Sequence, residues 1–125
     1  MNNNKILSVL LAEDNPISSK LAQINIQKMG HKLDVVNNGK EAVKKFMNNK
    51  YDVILMDIEM PVMNGLDAAK KIREIEKSTN PDSHVKIVAM TAHDDDQARL
   101  YFNYGLDDYC QKPYKKQQLS RLFED

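Results

Sequence analysis

Residues 53–65 read Val53-Ile54-Leu55-Met56-Asp57-Ile58-Glu59-Met60-Pro61-Val62-Met63-Asn64-Gly65, and this stretch decides the fold. Four apolar residues form a strand-sized run that stops at a carboxylate, Asp57, and Asn64-Gly65 then open a helical pattern. A strand this apolar is buried on both faces, as in a parallel sheet covered by helices. An aspartate at the mouth of such a strand serves as a salt-bridge partner, a metal ligand or a nucleophile. The partners that decide among these roles are Glu13-Asp14, Thr91 and Lys112.

The same alternation runs the length of the chain. Apolar runs recur at Ile6 to Ala12, Leu33 to Val36, Val53 to Met56 and Val85 to Met90, with a weaker one at Asp108 to Gln111. Between them the apolar spacing becomes helical. The first helix carries Ile17, Leu21 and Ile24 interleaved with Ala22, Ile26 and Met29, and Gly30 stops it. The second starts at Asn38, with Glu41 in capping-box position, and is expected to bury Ala42, Val43, Phe46 and Met47. The third presents Ala68, Ala69, Ile72 and Ile75 and is followed by a polar loop from Ser78 to His84. A fourth is expected from Asp94, Asp95 and Asp96, whose charges suit a helix N-terminus, to just before Gly105. The last, from about Tyr114, shows Leu119, Leu122 and Phe123 on one face.

Five βα units are too few for a closed eight-stranded barrel, which leaves an open, doubly wound, five-stranded parallel sheet. Such sheets place their sites beyond the carboxyl ends of the strands. Glu13-Asp14 follow the first strand, Asp57 ends the third, Thr91 the fourth and Lys112 the fifth, so all are expected on one rim.

Composition narrows the function. At 125 residues the chain is expected to form a single domain over residues 1–125. Eighteen basic and eighteen acidic residues balance, so there is no global charge for nucleic acid or an anionic membrane, and the expected partner is a protein or a small ion. Cys110 is the single thiol, which excludes an internal disulfide framework, and its place beside Tyr109 on a strand makes it a buried thiol. No run approaches the roughly 20 apolar residues that span a bilayer. These features predict a cytoplasmic location without membrane insertion, and an output other than direct DNA binding is expected.

Each rim residue alone has an ordinary explanation: Asp14 before Asn15-Pro16 suits a helix start, and Lys112 is one solvated charge among many. Together they are harder to dismiss, because carboxylates about 5 Å apart repel by roughly 3 kcal/mol per pair at an effective dielectric near 20. A cation or a shared proton must relieve that. Oxygen ligands without His or a second Cys suit Mg2+, or Mn2+, rather than zinc. Lys112 adds an ammonium and Thr91 a hydroxyl donor, the groups an aspartate needs around it to accept a phosphoryl group.

The acidic pair Glu13-Asp14, the segment from Asp57 to Gly65, Thr91-Ala92 and Lys112-Pro113 closely resemble the receiver domain of two-component response regulators, across essentially the whole chain. The runs Leu11 to Pro16, Asn38 to Val43 and Met60 to Leu66 look most like receivers of hybrid sensor histidine kinases. The resemblance implies the flavodoxin-like (βα)5 receiver fold, with Asp57 taking a phosphoryl group from a phosphohistidine on a histidine kinase or histidine phosphotransfer domain. By the same likeness Mg2+ is held by Asp14, Asp57 and the backbone carbonyl of Glu59, with Glu13 acting through water. Thr91 and Lys112 grip the phosphoryl oxygens, and Thr91 with Tyr109 forms the switch. Glu59 and His93 tune the phosphoryl lifetime, and the Lys112–Pro113 bond is cis. The signal leaves through the fourth helix, fifth strand and last helix to a downstream protein, from a monomer or weak dimer. Such a domain is not an enzyme with a separate substrate; it catalyses only its own aspartyl phosphorylation and dephosphorylation.

Three rivals share parts of this pattern. A phosphatase of the haloacid dehalogenase type also forms an aspartyl phosphate, but it wants a second Asp where Glu59 stands, and a cap domain. A flavodoxin-like cofactor carrier needs a phosphate cradle after the first strand, where Glu13-Asp14 would repel the phosphate. A phosphorylation-independent interaction module would have no use for the full set of site residues.

Overall fold

The computed structural model describes residues 5–92, 99–112 and 115–123. Five strands form one parallel sheet in the order β2-β1-β3-β4-β5: β1 Ser8–Ala12, β2 Lys32–Val36, β3 Val53–Asp57, β4 Lys86–Thr91 and β5 Asp108–Gln111. Helices α1 Pro16–Lys28, α2 Gly39–Asn48, α3 Gly65–Thr79 and α4 Lys116–Leu122 cover it, and a 3-10 segment at Arg99–Tyr104 links β4 to β5.

Side-chain alternation divides the core into two layers. Leu10, Ala12, Ile54, Met56, Ile87 and Ala89 face α2 and α3, where Ala42, Ala68, Ala69 and Ile72 meet them. Val9, Leu11, Val53, Leu55, Val88 and Met90 face Ala22 and Ile26 of α1 and Leu119 and Leu122 of α4. Every residue of β3 is buried, Asp57 included. That follows from its central place between β1 and β4.

Strand order reverses at β1, whose neighbours are β2 and β3, so the two chains leaving its carboxyl edge diverge and open a crevice there. Three asparagines set the helix starts around this edge. Asn15 Oδ1 accepts from the Ile17 and Ser18 N–H groups, Asn38 Oδ1 from Glu41 N–H, and Asn64 Oδ1 from Asp67 N–H. Each thereby satisfies amides that the first helical turn leaves without partners. The loop from β3 to α3 is held by Gly39 N–H to the Met63 carbonyl and Gly65 N–H to the Ile58 carbonyl, both at 2.9 Å. A Cβ at Gly65 would be driven into the Asp57 carbonyl, so only glycine lets α3 start this close to the strand end.

Several expectations are corrected. Met47 is 63% exposed, because α2 turns Ala42 and Val43 to the sheet and leaves Met47 on its outer side; Phe46 and, on α3, Ile75 are only partly covered. On α1, whose two apolar stripes carried no assignment to the core, the buried face is Ser19, Ala22 and Ile26, and the stripe Ile17, Leu21 and Ile24 is exposed. Of the fourth helix, the described part is a 3-10 segment over Arg99–Tyr104, and Asp94, Asp95 and Asp96 lie outside the described residues. Cys110 is buried as expected, and burial pushes its thiol up to about 11.

Candidate functional site

The rim residues meet at the crevice. Glu13 and Asp57 are buried, at 3% and 4% exposure, while Asp14 beside them is exposed. Glu13 N–H donates to the Val36 carbonyl at 3.0 Å, which extends the sheet by one residue and points the Glu13 carboxylate inward across the top of β1. Its Oε2 accepts from the Asn15 N–H at 3.1 Å. Asp57 Oδ1 accepts from the Glu59 N–H at 3.2 Å, and this bond turns the chain out of the strand and into the loop. Carboxylate oxygens of Glu13, Asp14 and Asp57 lie within 4.8 Å of one another.

Lys112 answers this crowding from the end of β5. Its Nζ is 2.9 Å from Glu13 Oε1 and 3.3 Å from Asp57 Oδ1. Its own N–H donates to the Thr91 carbonyl at 2.6 Å, tying the ends of β4 and β5 together. Thr91 is 2% exposed, and its Oγ1 lies 3.1 Å from the hydroxyl of Tyr101.

One ammonium does not neutralise two buried carboxylates. Burial, and then the hydrogen-bonded and charged Glu13 beside it, push Asp57 up to about 7 against the opposing pull of Lys112 and the Glu59 N–H. Burial alone would raise Glu13 as well, but its hydrogen bonds with Asp57, Lys112 and the Asn15 N–H hold it below the ordinary carboxylate range. Burial works against the Lys112 charge, and the two carboxylates outweigh it and hold the ammonium above its ordinary value. Burial and the mutual repulsion of the two carboxylates thus favour retention of a proton by the Glu13–Asp57 pair. A small hard cation suits the same place: every donor is a carboxylate oxygen, two are buried, and the charge they carry exceeds what Lys112 supplies.

The structure thus brings together Glu13, Asp14, Asp57, Thr91 and Lys112 as expected. The exposed Glu59 stands on the cleft wall with Asp14, Ile58, Met60, Pro61, Asn64, Leu66 and Tyr101. Tyr109 is half-buried on β5, its ring meeting Phe102 edge-on at 6.5 Å and 69°. His93 and Pro113, and with the latter the Lys112–Pro113 peptide, lie outside the described residues. Sequence reading missed Tyr101. The signal was there: Tyr101, Phe102 and Tyr104 fall within four positions before Gly105, and at least one ring of such a group must turn to the sheet.

Residues 9–124 match the response regulator receiver domain family, and the chain belongs to it. Among relatives, it is 41% identical over 121 residues to the hybrid signal transduction histidine kinase B of Dictyostelium discoideum, covering 89% of this chain and 6% of the relative. It is 34% identical over 118 residues to the aerobic respiration control sensor protein ArcB of Escherichia coli, covering 94% and 15%. The chain thus spans only a small part of these kinases, and the match is to their receiver segments. Among solved structures, the receiver domain of a Pseudomonas aeruginosa sensor histidine kinase, with a magnesium ion coordinated in its active site cleft, superposes with a TM-score of 0.82 at 29% identity, covering 94% of both chains. The receiver domain of the Saccharomyces cerevisiae response regulator Ssk1, co-crystallised with the histidine phosphotransfer protein Ypd1, gives 0.85 at 31%, covering 94% of this chain and 86% of that one. The fold is that of receiver domains, a signalling module rather than an enzyme of the phosphatase type.

Proposed function

We propose that residues 1–125 form one phosphoacceptor receiver domain in which Asp57 takes a phosphoryl group from a phosphohistidine. The observation that carries this reading is the state of Asp57: a buried carboxyl at the end of the central strand, crowded by Glu13 and contacted by Lys112 at 3.3 Å. As carboxylate, an Asp57 oxygen attacks phosphorus; the phosphorus–nitrogen bond of the donor breaks, and the imidazole nitrogen leaves with the electron pair and takes a proton. The product is an acyl phosphate on Asp57. Asp14, Asp57 and the Glu59 carbonyl would hold Mg2+, with Glu13 acting through water, and the ion would supply positive charge against the phosphoryl oxygens; Mn2+ suits the same donors. Lys112 keeps its contact with the site by exchanging a carboxylate oxygen for a phosphoryl oxygen, and Thr91 donates its hydroxyl to another. Acceptance and loss of the group need no residue beyond this rim, so the domain acts on itself, and Glu59 and His93 set how readily water reaches the acyl phosphate.

The donor is a histidine kinase or a histidine phosphotransfer domain, in keeping with the hybrid kinases among the relatives and with the phosphotransfer protein co-crystallised with one structural neighbour. Output passes through the surface of the 3-10 segment, β5 and α4 to a protein partner, with Thr91 and Tyr109 as the switch pair. Leu100, Phe102 and Tyr104 give that surface exposed apolar side chains. Incubation with acetyl phosphate and Mg2+, read by intact mass, tests the reading. One added phosphoryl group is expected, none without Mg2+ and none in Asp57→Asn; a gain that survives Asp57→Asn contradicts it.

A further inference from the structure

Tyr101 belongs to the site by geometry, yet the chemistry above does not use it. It sits in the 3-10 segment at 6% exposure, between Leu100 at 61% and Phe102 at 45%. Its ring forms part of the cleft wall with Asp14, Ile58 and Glu59. Its hydroxyl lies 3.1 Å from Thr91 Oγ1, a hydrogen bond between two buried groups.

The chemistry of the two hydroxyls gives this bond a direction. A phenol O–H is more acidic than an aliphatic alcohol and so the better donor, which assigns Tyr101 as donor and Thr91 as acceptor. A Tyr101 hydroxyl left behind in the interior would lose its partner at a cost, so the ring follows when Thr91 moves. The residues on either side of that ring are the exposed apolar ones of the same segment.

We propose that Tyr101 is a positioning residue coupling Thr91 to the surface: through the buried Tyr101–Thr91 hydrogen bond, movement of Thr91 toward a phosphoryl group on Asp57 and displacement of Arg99–Tyr104 become one event. The inference rests on the assignment of Asp57 as phosphoacceptor. Tyr109 reaches the same segment from β5 through its edge contact with Phe102.

The test follows two readouts in the full chain, before and after acetyl phosphate with Mg2+: intact mass, and the backbone amide chemical shifts of Leu100, Phe102 and Tyr104. Wild type gains one phosphoryl group and the three amides shift. Tyr101→Phe, which keeps the ring and removes only the hydroxyl, gains the same group, while its amide displacements fall below half those of wild type. Thr91→Ser, which keeps a hydroxyl at the other end, retains more than half. A residue that merely filled space would lower the melting temperature in both states and leave the displacement caused by phosphorylation unchanged. Full displacement in Tyr101→Phe overturns the inference, as does failure of that variant alone to gain the phosphoryl group. Failure of wild type to gain it overturns the Asp57 assignment and the inference together.

Discussion

Two groups of charged side chains tie this sheet together, and they are built on opposite principles. Beside the amino end of β4, Arg73 of α3 donates to Glu76 at 2.7 Å, to Asp107 at 2.6 Å and to the Gly105 carbonyl at 2.8 Å. The remaining oxygens are also met: Glu76 accepts from Val85 N–H at 2.6 Å, and Asp107 accepts from Ile87 N–H at 2.9 Å and pairs with His84 at 2.7 Å. At the carboxyl rim, Glu13 and Asp57 instead crowd each other and share one ammonium. The clamp separates its carboxylates with a planar guanidinium; the rim presses its carboxylates together around a point charge. The first arrangement is finished when the chain folds. The second is complete only with a proton, a cation or a phosphoryl group added.

Breaking the clamp has the largest expected effect. Arg73→Met leaves Glu76 buried without its cation, and a stability loss of about 3 kcal/mol is expected by urea titration. The loss should be the same with or without Mg2+, because nothing in the clamp belongs to the cation site.

The rim behaves oppositely. Asp57 binds its proton with a value of about 7 in the folded chain against 3.8 for an ordinary aspartate, so folding takes up a proton between those values and stability falls as pH rises through that window. Above about pH 7 the buried charge imposes its full penalty. Asp57→Asn is therefore expected to match wild type near pH 4 and to exceed it by roughly 1–3 kcal/mol at pH 8 without metal. Equal stability at pH 8 would mean that the rim is as well satisfied as the clamp. The same proton competes with a cation: Mg2+ affinity should fall by up to about tenfold per pH unit below 7 and level off above it, measured by titration calorimetry.

The smallest effect lies in the loop beside Asp57. Val62 adopts φ 69°, a left-handed conformation that a β-branched residue resists, while its side chain is 77% exposed and packs little. Val62→Asn should stabilise the chain by about 1 kcal/mol in thermal unfolding. No change would show that the loop contributes nothing to the strain around the site.

What sequence reading recovered and what it missed follow the same division. The strands were legible because buried parallel strands leave continuous apolar runs such as Val53 to Met56, and the helix starts because Asn38 and Asn64 carry their own capping chemistry. The rim residues were legible because an open parallel sheet brings all its strand ends to one edge. The Arg73 clamp was not, since it joins α3 to Asp107 across 34 residues and no local pattern announces such a pairing. Helix faces also escaped: α1 carries two interleaved apolar stripes, and which one packs depends on where the sheet lies, with Ile26 fully buried and Ile17 73% exposed. Tyr101 was missed for a related reason, because three neighbouring aromatics do not say which of them turns inward.

The central claim is that the crowded carboxyl on β3 is the phosphoacceptor. Borohydride reduces an acyl phosphate on aspartate to the alcohol, leaving homoserine in its place, which peptide mass spectrometry locates. After incubation with acetyl phosphate and Mg2+, homoserine is expected at position 57 and nowhere else; homoserine at position 14, 5-hydroxynorvaline (the alcohol that a glutamyl phosphate leaves) at position 13, or neither alcohol in a chain that has gained phosphoryl mass, would contradict the account.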